Sequence, residues 1–225
     1  MIKIKNLVKV YKGETYETRA LDGIDLTIED GEFVAVMGPS GSGKSTLLNV
    51  IGCMDTLTEG EYYLDDYEIH KLKLKELHKV RREKISFVFQ HFALMSNFSV
   101  YENVEVPLLA KNVNKSRRKK IVYEKLKMLG IDNLADKLPT QISGGQQQRA
   151  AIARALTSDN DIILADEPTG ALDRKTGQDL MNMLTEINAS GKTVIIVTHD
   201  DKVASATKRI INIVDGRITG DEENA

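Results

Sequence analysis

Hydrophobic positions follow two different periods along this chain. Phe33 to Met37, Ile85 to Phe89, Ile162 to Ala165 and Thr193 to Thr198 are near-continuous apolar runs. Runs of that length without alternation suit strands buried on both faces of a sheet. Helical stretches lie between them, one carrying Leu180, Leu184 and Ile187 on a single face. Strands alternating with helices predict an α/β domain with a mostly parallel sheet. The opening sixty or so residues alternate polar and apolar instead, at Ile2/Ile4, Ala20 to Ile28 and Glu61 to Leu64, as an N-terminal antiparallel β flap would. Between Ser99 and Ser158 the strand pattern fades, and Val122, Leu126 and Leu129 recur at helical spacing. The expected organisation is one domain over 1–225, with a core from 1–98 and 159–225 and a helical insert subdomain over about 99–158. A helix after Asp200 and a last strand near Ile210 to Val214 close the pattern, and the acidic Asp221-Glu222-Glu223 reads as a frayed end.

Composition narrows the classes. With 31 Lys+Arg against 33 Asp+Glu, the chain has no global basic field of the kind that binds duplex nucleic acid, and no nucleic-acid partner is expected. A 41% hydrophobic, 28% charged chain is neither disordered nor fibrous. No apolar run approaches the roughly 18 to 20 residues that cross a bilayer, and Met1 to Lys5 lacks a signal-peptide core. Cys53 is alone, so no internal disulfide forms and a reducing cytoplasm is the simplest compartment. The basic run Lys115, Arg117, Arg118, Lys119 and Lys120 reads as a solvated helix end, with an anionic membrane surface or partner as the other possibility.

Residues 38 to 45, Gly38-Pro39-Ser40-Gly41-Ser42-Gly43-Lys44-Ser45, match G-x-x-x-x-G-K-[ST] in full, after an apolar strand and before the helical Thr46-Leu47-Leu48. Glycines let successive N–H groups turn toward phosphate oxygens, and the helix N-terminus adds a favourable dipole. Lys44 would reach the β- and γ-phosphates, and the Ser45 hydroxyl would coordinate Mg²⁺. Downstream, an apolar strand runs into Asp166-Glu167, a carboxylate pair at the sheet edge where ligands sit in open α/β folds. Asp166 would hold the Mg²⁺ shell and Glu167 would orient or deprotonate an attacking water. A guanine-reading Asn-Lys-x-Asp is missing, since the one Asn-Lys runs Asn114-Lys115-Ser116-Arg117, so ATP is the expected nucleotide.

A second string, Ser143-Gly144-Gly145-Gln146, heads the helical Ala150 to Leu156. Alone it reads first as an ordinary Ser-capped helix start, with another anion nest as the second reading. Two phosphate-binding helix starts exceed what one triphosphate needs, and a second copy of the chain would use the surplus.

These strings together resemble the ATP-binding cassette (ABC) ATPase family over nearly the whole chain. The resemblance makes Ser143 to Gln146 the signature motif, whose Ser and Gly close over ATP held by the opposing copy. The family has Leu where Ile142 stands, an apolar exchange. By the same resemblance Tyr11 stacks on adenine, Gln90 touches Mg²⁺ or water, Asp173 lies at the dimer seam and His199 contacts the γ-phosphate. Unaided, Tyr11 is a half-exposed strand residue and Gln90 and His199 are strand-end polar residues. Gly52-Cys53-Met54-Asp55, Phe87 to Gln90, Ala165 to Asp173 and Val197 to Asp200 are similar to the branch of lipoprotein-releasing, macrolide-exporting and antimicrobial-peptide-resistance ATPases. That branch implies a head-to-tail ATP-dependent dimer on the cytoplasmic side of the cell membrane. A separate integral-membrane permease would bind it there and carry out export. Cell-division relatives that signal mechanically without transport are the alternative.

Overall fold

The computed structural model describes residues 1–13 and 15–224. It opens with a long antiparallel pair, β1 (Ile2–Lys12) and β2 (Glu17–Ile28), then β3 (Phe33–Met37) and α1 (Lys44–Ile51). The chain continues through β4 (Glu59–Leu64), β5 (Tyr67–Glu68), α2 (Leu74–Lys84) and β6 (Ile85–Phe89). Three helices follow, α3 (Val100–Ala110), α4 (Lys115–Met128) and α5 (Gly144–Thr157). The last third is β7 (Ile162–Asp166), α6 (Arg174–Ala189), β8 (Thr193–Thr198), α7 (Asp201–Ala204), β9 (Arg209–Val214) and β10 (Arg217–Glu223).

Two sheets result. One is antiparallel in the order β2-β1-β4-β5, and the other runs β10-β9-β3-β8-β7-β6, with every pair parallel except β9 and β10. The α/β domain with a mostly parallel sheet and an antiparallel flap, expected from the hydrophobic pattern, is therefore present, and the phosphate-loop motif that follows β3 gives it a P-loop NTPase core. Strand alternation explains why those runs are continuous. Val34, Val36, Ile195, Val197, Ile162 and Leu164 pack toward α1 and the antiparallel sheet. Their neighbours Phe33, Val194, Ile196, Ile163 and Ala165 pack toward α5, α6 and the insert helices. Both faces of the parallel sheet are buried, so neither set of positions tolerates polar residues.

The insert contributes its own apolar layer, Val104, Leu108, Val122, Leu126 and Leu129, to that second core. Ser99, Asn114 and Ser143 cap α3, α4 and α5, each accepting from a backbone N–H three residues on.

Two expectations are corrected. The acidic tail is not frayed. Asp215 and Gly216 both have positive φ, the two-residue hairpin geometry that Asp-Gly favours, and they turn the chain into β10. Asp221 pairs with Ile211 in that ladder, while its carboxylate takes the Arg209 guanidinium at 2.7 Å. Arg209 also reaches Glu32 at 2.8 Å and the Thr27 carbonyl, so the tail is bound to β9 and to the turn before β3. The basic run is not uniformly solvated either. Arg118 is held by Glu105 at 2.8 Å and by the Val113 carbonyl, whereas Lys115, Arg117, Lys119 and Lys120 are exposed. No helix among the described residues is long and apolar enough to cross a membrane.

Candidate active site

Parallel packing brings the C-terminal ends of β3, β7 and β8 to one edge, where the turns that follow them face each other. After β3 the chain needs conformations that side chains resist: Gly38, Gly41 and Gly43 have φ of 151°, 80° and 102°. At Gly43 a Cβ would also meet the Ala20 carbonyl oxygen at 2.4 Å, a backbone atom with no freedom to move aside. The loop is braced from behind by the β9–β10 turn, whose Gly216 N–H donates to the Ser42 carbonyl at 3.0 Å. Its helix, α1, begins at Lys44 with no side-chain cap, which leaves the first turn's N–H groups facing outward.

Lys44 is buried and folds back over the loop, donating to the Gly38 and Pro39 carbonyls at 2.8 Å each. The Ser45 hydroxyl faces the Asp166 carboxylate at 3.4 Å. Burial raises the Asp166 pKa; the Ser45 hydrogen bond opposes that rise, and the neighbouring Glu167 charge adds to it. Glu167 sits in the left-handed region at φ 45°, a conformation that costs a non-glycine residue about 1 kcal/mol or more. Hydrogen bonds hold it there. Its N–H donates to Val197 and its carbonyl accepts from Gly170. Its carboxylate accepts from the Thr198 hydroxyl at 3.3 Å and lies 2.7 Å from His199 Nδ1.

These groups converge on a cavity of about 800 Å³ lined by Pro39 to Gly41, Gly43 to Thr46, Glu167 and His199. Its remaining walls are Thr18 to Ala20 from β2 and Asp215-Gly216, which no motif in the sequence marked. The hairpin signal at Asp215-Gly216 could have found one of them.

The other expected residues lie outside the cavity. Tyr11 is 40% exposed on β1, with its hydroxyl on Asp55 at 2.8 Å and the Lys9 ammonium 4.8 Å from its ring. Gln90 follows β6 directly, and its amide stands so close to Gly170 that a Cβ there would meet it at 2.7 Å. The segment just after it is clamped by Arg154 of α5, which donates to the Phe92 and Ala93 carbonyls, both residues having positive φ. Ser143 and Gln146 close a capping box at the start of α5: the Ser143 hydroxyl accepts from Gln146 N–H, and Gln146 accepts from Ser143 N–H. Gly144 and Gly145 sit on this same turn, away from the phosphate loop. Asp173 caps α6 by accepting from Lys175 N–H, Thr176 N–H and the Thr176 hydroxyl.

His199 is 73% exposed, and its pKa is raised above the ordinary 6.5, chiefly by the hydrogen bond to Glu167. The sign follows directly: any stability this contact gives is present below pH 6.5 and is lost as pH rises through the higher folded value. In a proton NMR titration the Glu167→Gln variant should bring the imidazole pKa down toward 6.5. A titration unchanged by the substitution would mean that the carboxylate is not the cause.

A divalent cation fits the pair Ser45–Asp166. Two oxygens face one another, and one belongs to a carboxylate whose burial opposes ionisation. Among the described residues no cluster of three or more His, Cys, Asp or Glu could hold a metal by itself. A Mg²⁺ that keeps waters and shares substrate phosphates needs only one or two protein oxygens.

Comparison with known proteins places the geometry in context. The ABC transporter family profile matches residues 21–170. The chain is 50% identical over 228 residues to the ABC transporter ATP-binding protein MJ0796 of Methanocaldococcus jannaschii, covering 99% of this chain and 97% of that protein. It is 47% identical over 224 residues to the macrolide export ATP-binding/permease protein MacB of Hyphomonas neptunium, but spans only 35% of that longer relative. Among solved structures it is similar to the dimeric MJ0796 cassette in a post-hydrolysis state bound to ADP and Pi. The TM-score is 0.93 at 49% identity, covering 100% of this chain and 99% of the other.

Proposed function

The chain belongs to the ABC transporter family, and from that premise we propose that it is the ATP-binding and ATP-hydrolysing subunit of a membrane exporter. The observation that carries the reading is the convergence, in one cavity, of the phosphate loop, Lys44, Ser45 and the Glu167–His199 pair. Lys44 now satisfies its charge on two loop carbonyls. A triphosphate in the cradle draws it off those carbonyls, and the loop amides Gly41 to Thr46 take the remaining phosphate oxygens. Ser45 and Asp166, with Gln90 from the turn after β6, would hold Mg²⁺, which would supply positive charge to offset the negative charge developing on the phosphates. Glu167 orients the attacking water and accepts its proton, and His199, hydrogen-bonded to that carboxylate, faces the γ-phosphate. Tyr11 supplies an adenine-stacking face.

Each site is completed by a second copy, whose Ser143, Gly144, Gly145 and Gln146 approach the γ-phosphate while Asp173 lies at the seam. Within one chain the signature turn does not reach the cavity, so it is free to serve the opposite one. The closed dimer excludes water and opens after hydrolysis. That motion is passed to a separate integral-membrane permease, which holds the subunit at the cytoplasmic side of the membrane. The similarity to a macrolide export protein supports export as the direction of transport; lipoproteins and antimicrobial peptides are the other substrate types of the branch this sequence resembles. Purified chain is expected to hydrolyse ATP with Mg²⁺, to stop when EDTA removes it, and to bind proteoliposomes only when they contain its permease. Turnover indifferent to EDTA, or equal binding to protein-free vesicles, overturns the reading.

A further inference from the structure

Gln148 is 1% exposed, on the inner face of α5 with Ile152 and Ala155, where an apolar residue would be expected. Its Nε2 donates to the Pro168 carbonyl at 3.1 Å, one residue after Glu167. Its Oε1 is buried with no protein hydrogen-bond partner among the described residues. Burying an amide costs free energy that its hydrogen bonds must offset, and one placed at a core position of a helix calls for a role. Two contacts set the context. Gly145, at the start of the same helix, lies so near Thr176 that a Cβ would meet its methyl group at 2.7 Å. Thr176 in turn is fastened to Asp173 through both its N–H and its hydroxyl. The start of α5, the start of α6 and the turn between Glu167 and Asp173 thus pack as one unit, and Gln148 is the α5 side chain that reaches the catalytic end of that unit.

We propose that Gln148 is a positioning residue that fixes the Glu167–Pro168 turn to the signature helix, so that displacement of Ser143 to Gln146 moves Glu167. The inference rests on the reading above, in which Glu167 acts on the water and the signature turn serves the partner's ATP. Under it, the occupancy of one site biases the base of the other through a rigid path about one helical turn long, Gly144 to Gln148. Glu167 already occupies a strained backbone conformation, and a carboxylate so placed is displaced readily when one of the bonds holding its turn is lost.

Gln148→Met tests this. Methionine keeps the unbranched shape, removes the buried amide oxygen and removes the donor to Pro168. The first change favours the fold and the second opposes it, so Tm should stay within about 3 °C of the parent. The turnover number should nonetheless fall about tenfold or more, because a misplaced base loses its attack geometry. The KM for ATP should change less than about twofold, since no binding group is touched. The Hill coefficient of ATP hydrolysis should move toward 1. A kcat within about twofold of the parent, or a kcat loss matched by a fall in Tm, overturns the assignment. Glu167→Gln assayed alongside separates the failures. If it is inactive while Gln148→Met is normal, only the positioning role falls; if it turns over at the parental rate, the role of Glu167 falls with it.

Discussion

Glu167→Gln should lower ATP turnover by about 10²- to 10⁴-fold, the range that a positioned general base contributes. Gln matches Glu in shape, and its amide oxygen can still accept from Thr198, so the turn held by Val197 and Gly170 is preserved. What disappears is the proton acceptor. The substitution also takes a negative charge away from the triphosphate, so the ATP-bound dimer should persist instead of reopening. Phosphate release measures the first effect. Size-exclusion chromatography with ATP and Mg²⁺ measures the second, in which the variant elutes as a dimer and the parent, which consumes its nucleotide, as a shorter-lived one. Parental turnover in the variant would remove Glu167 from the mechanism. Loss of turnover without a longer-lived dimer would separate hydrolysis from reopening.

The same residues show why some features could be read from the chain and others could not. β3, β7 and β8 were visible because both of their faces are buried, and burial on two sides leaves a continuous apolar record. β10 is exposed along most of its length. As an edge strand it is free to carry Asp221, Glu222 and Glu223, and its charges say nothing about its ladder. α2 escaped for a related reason: it buries Leu77 and Val80 alone, among Lys and Arg residues that are solvated or, like Arg81 and Lys84, hydrogen-bonded at the surface. The phosphate loop was legible because backbone geometry demands glycine at fixed spacing, with φ from 80° to 151° at its three glycines.

The cavity's outer walls were not legible, since Thr18, Arg19 and Ala20 reach it only because β2 folds beside the loop. Gln148 was concealed in a run of three glutamines. Only its place on the helix distinguishes it, four and seven residues before Ile152 and Ala155 on the buried face. A polar residue at a core position of an otherwise amphipathic helix is a usable signal, provided the helix phase is known. Ser143 is the opposite case. Its sequence signal was strong, yet within one chain it performs only the capping that any N-terminal serine would.

That contrast gives the most direct test of a site divided between two chains. Lys44→Ala removes the one ammonium in the phosphate loop, and Ser143→Arg places a bulky cation where the signature turn must approach the opposing triphosphate. Each variant alone should lose nearly all turnover, because both sites of its homodimer carry the same defect. The Ser143→Arg loss should not come from unfolding, since Ser143 is exposed and its cap contributes about 1 kcal/mol; circular dichroism checks the fold of Lys44→Ala. In an equimolar mixture about half the dimers are mixed. Each mixed dimer joins the intact phosphate loop of the Ser143→Arg chain to the intact signature turn of the Lys44→Ala chain, while its second site carries both defects. If the two sites turn over independently, the mixture should regain about a quarter of parental activity. Coupling through Gln148 would reduce that fraction, because the intact site then faces a neighbour that cannot close. Differently tagged chains purified in tandem give mixed dimers free of either homodimer, and their rate per dimer measures the shared site without statistical correction. Mixed dimers that neither hydrolyse ATP nor retain it at one site would mean that Ser143 acts within its own chain. In that case α5 would have to swing its N-terminus from Thr176 to the phosphate loop, breaking the close packing that Gly145 makes there.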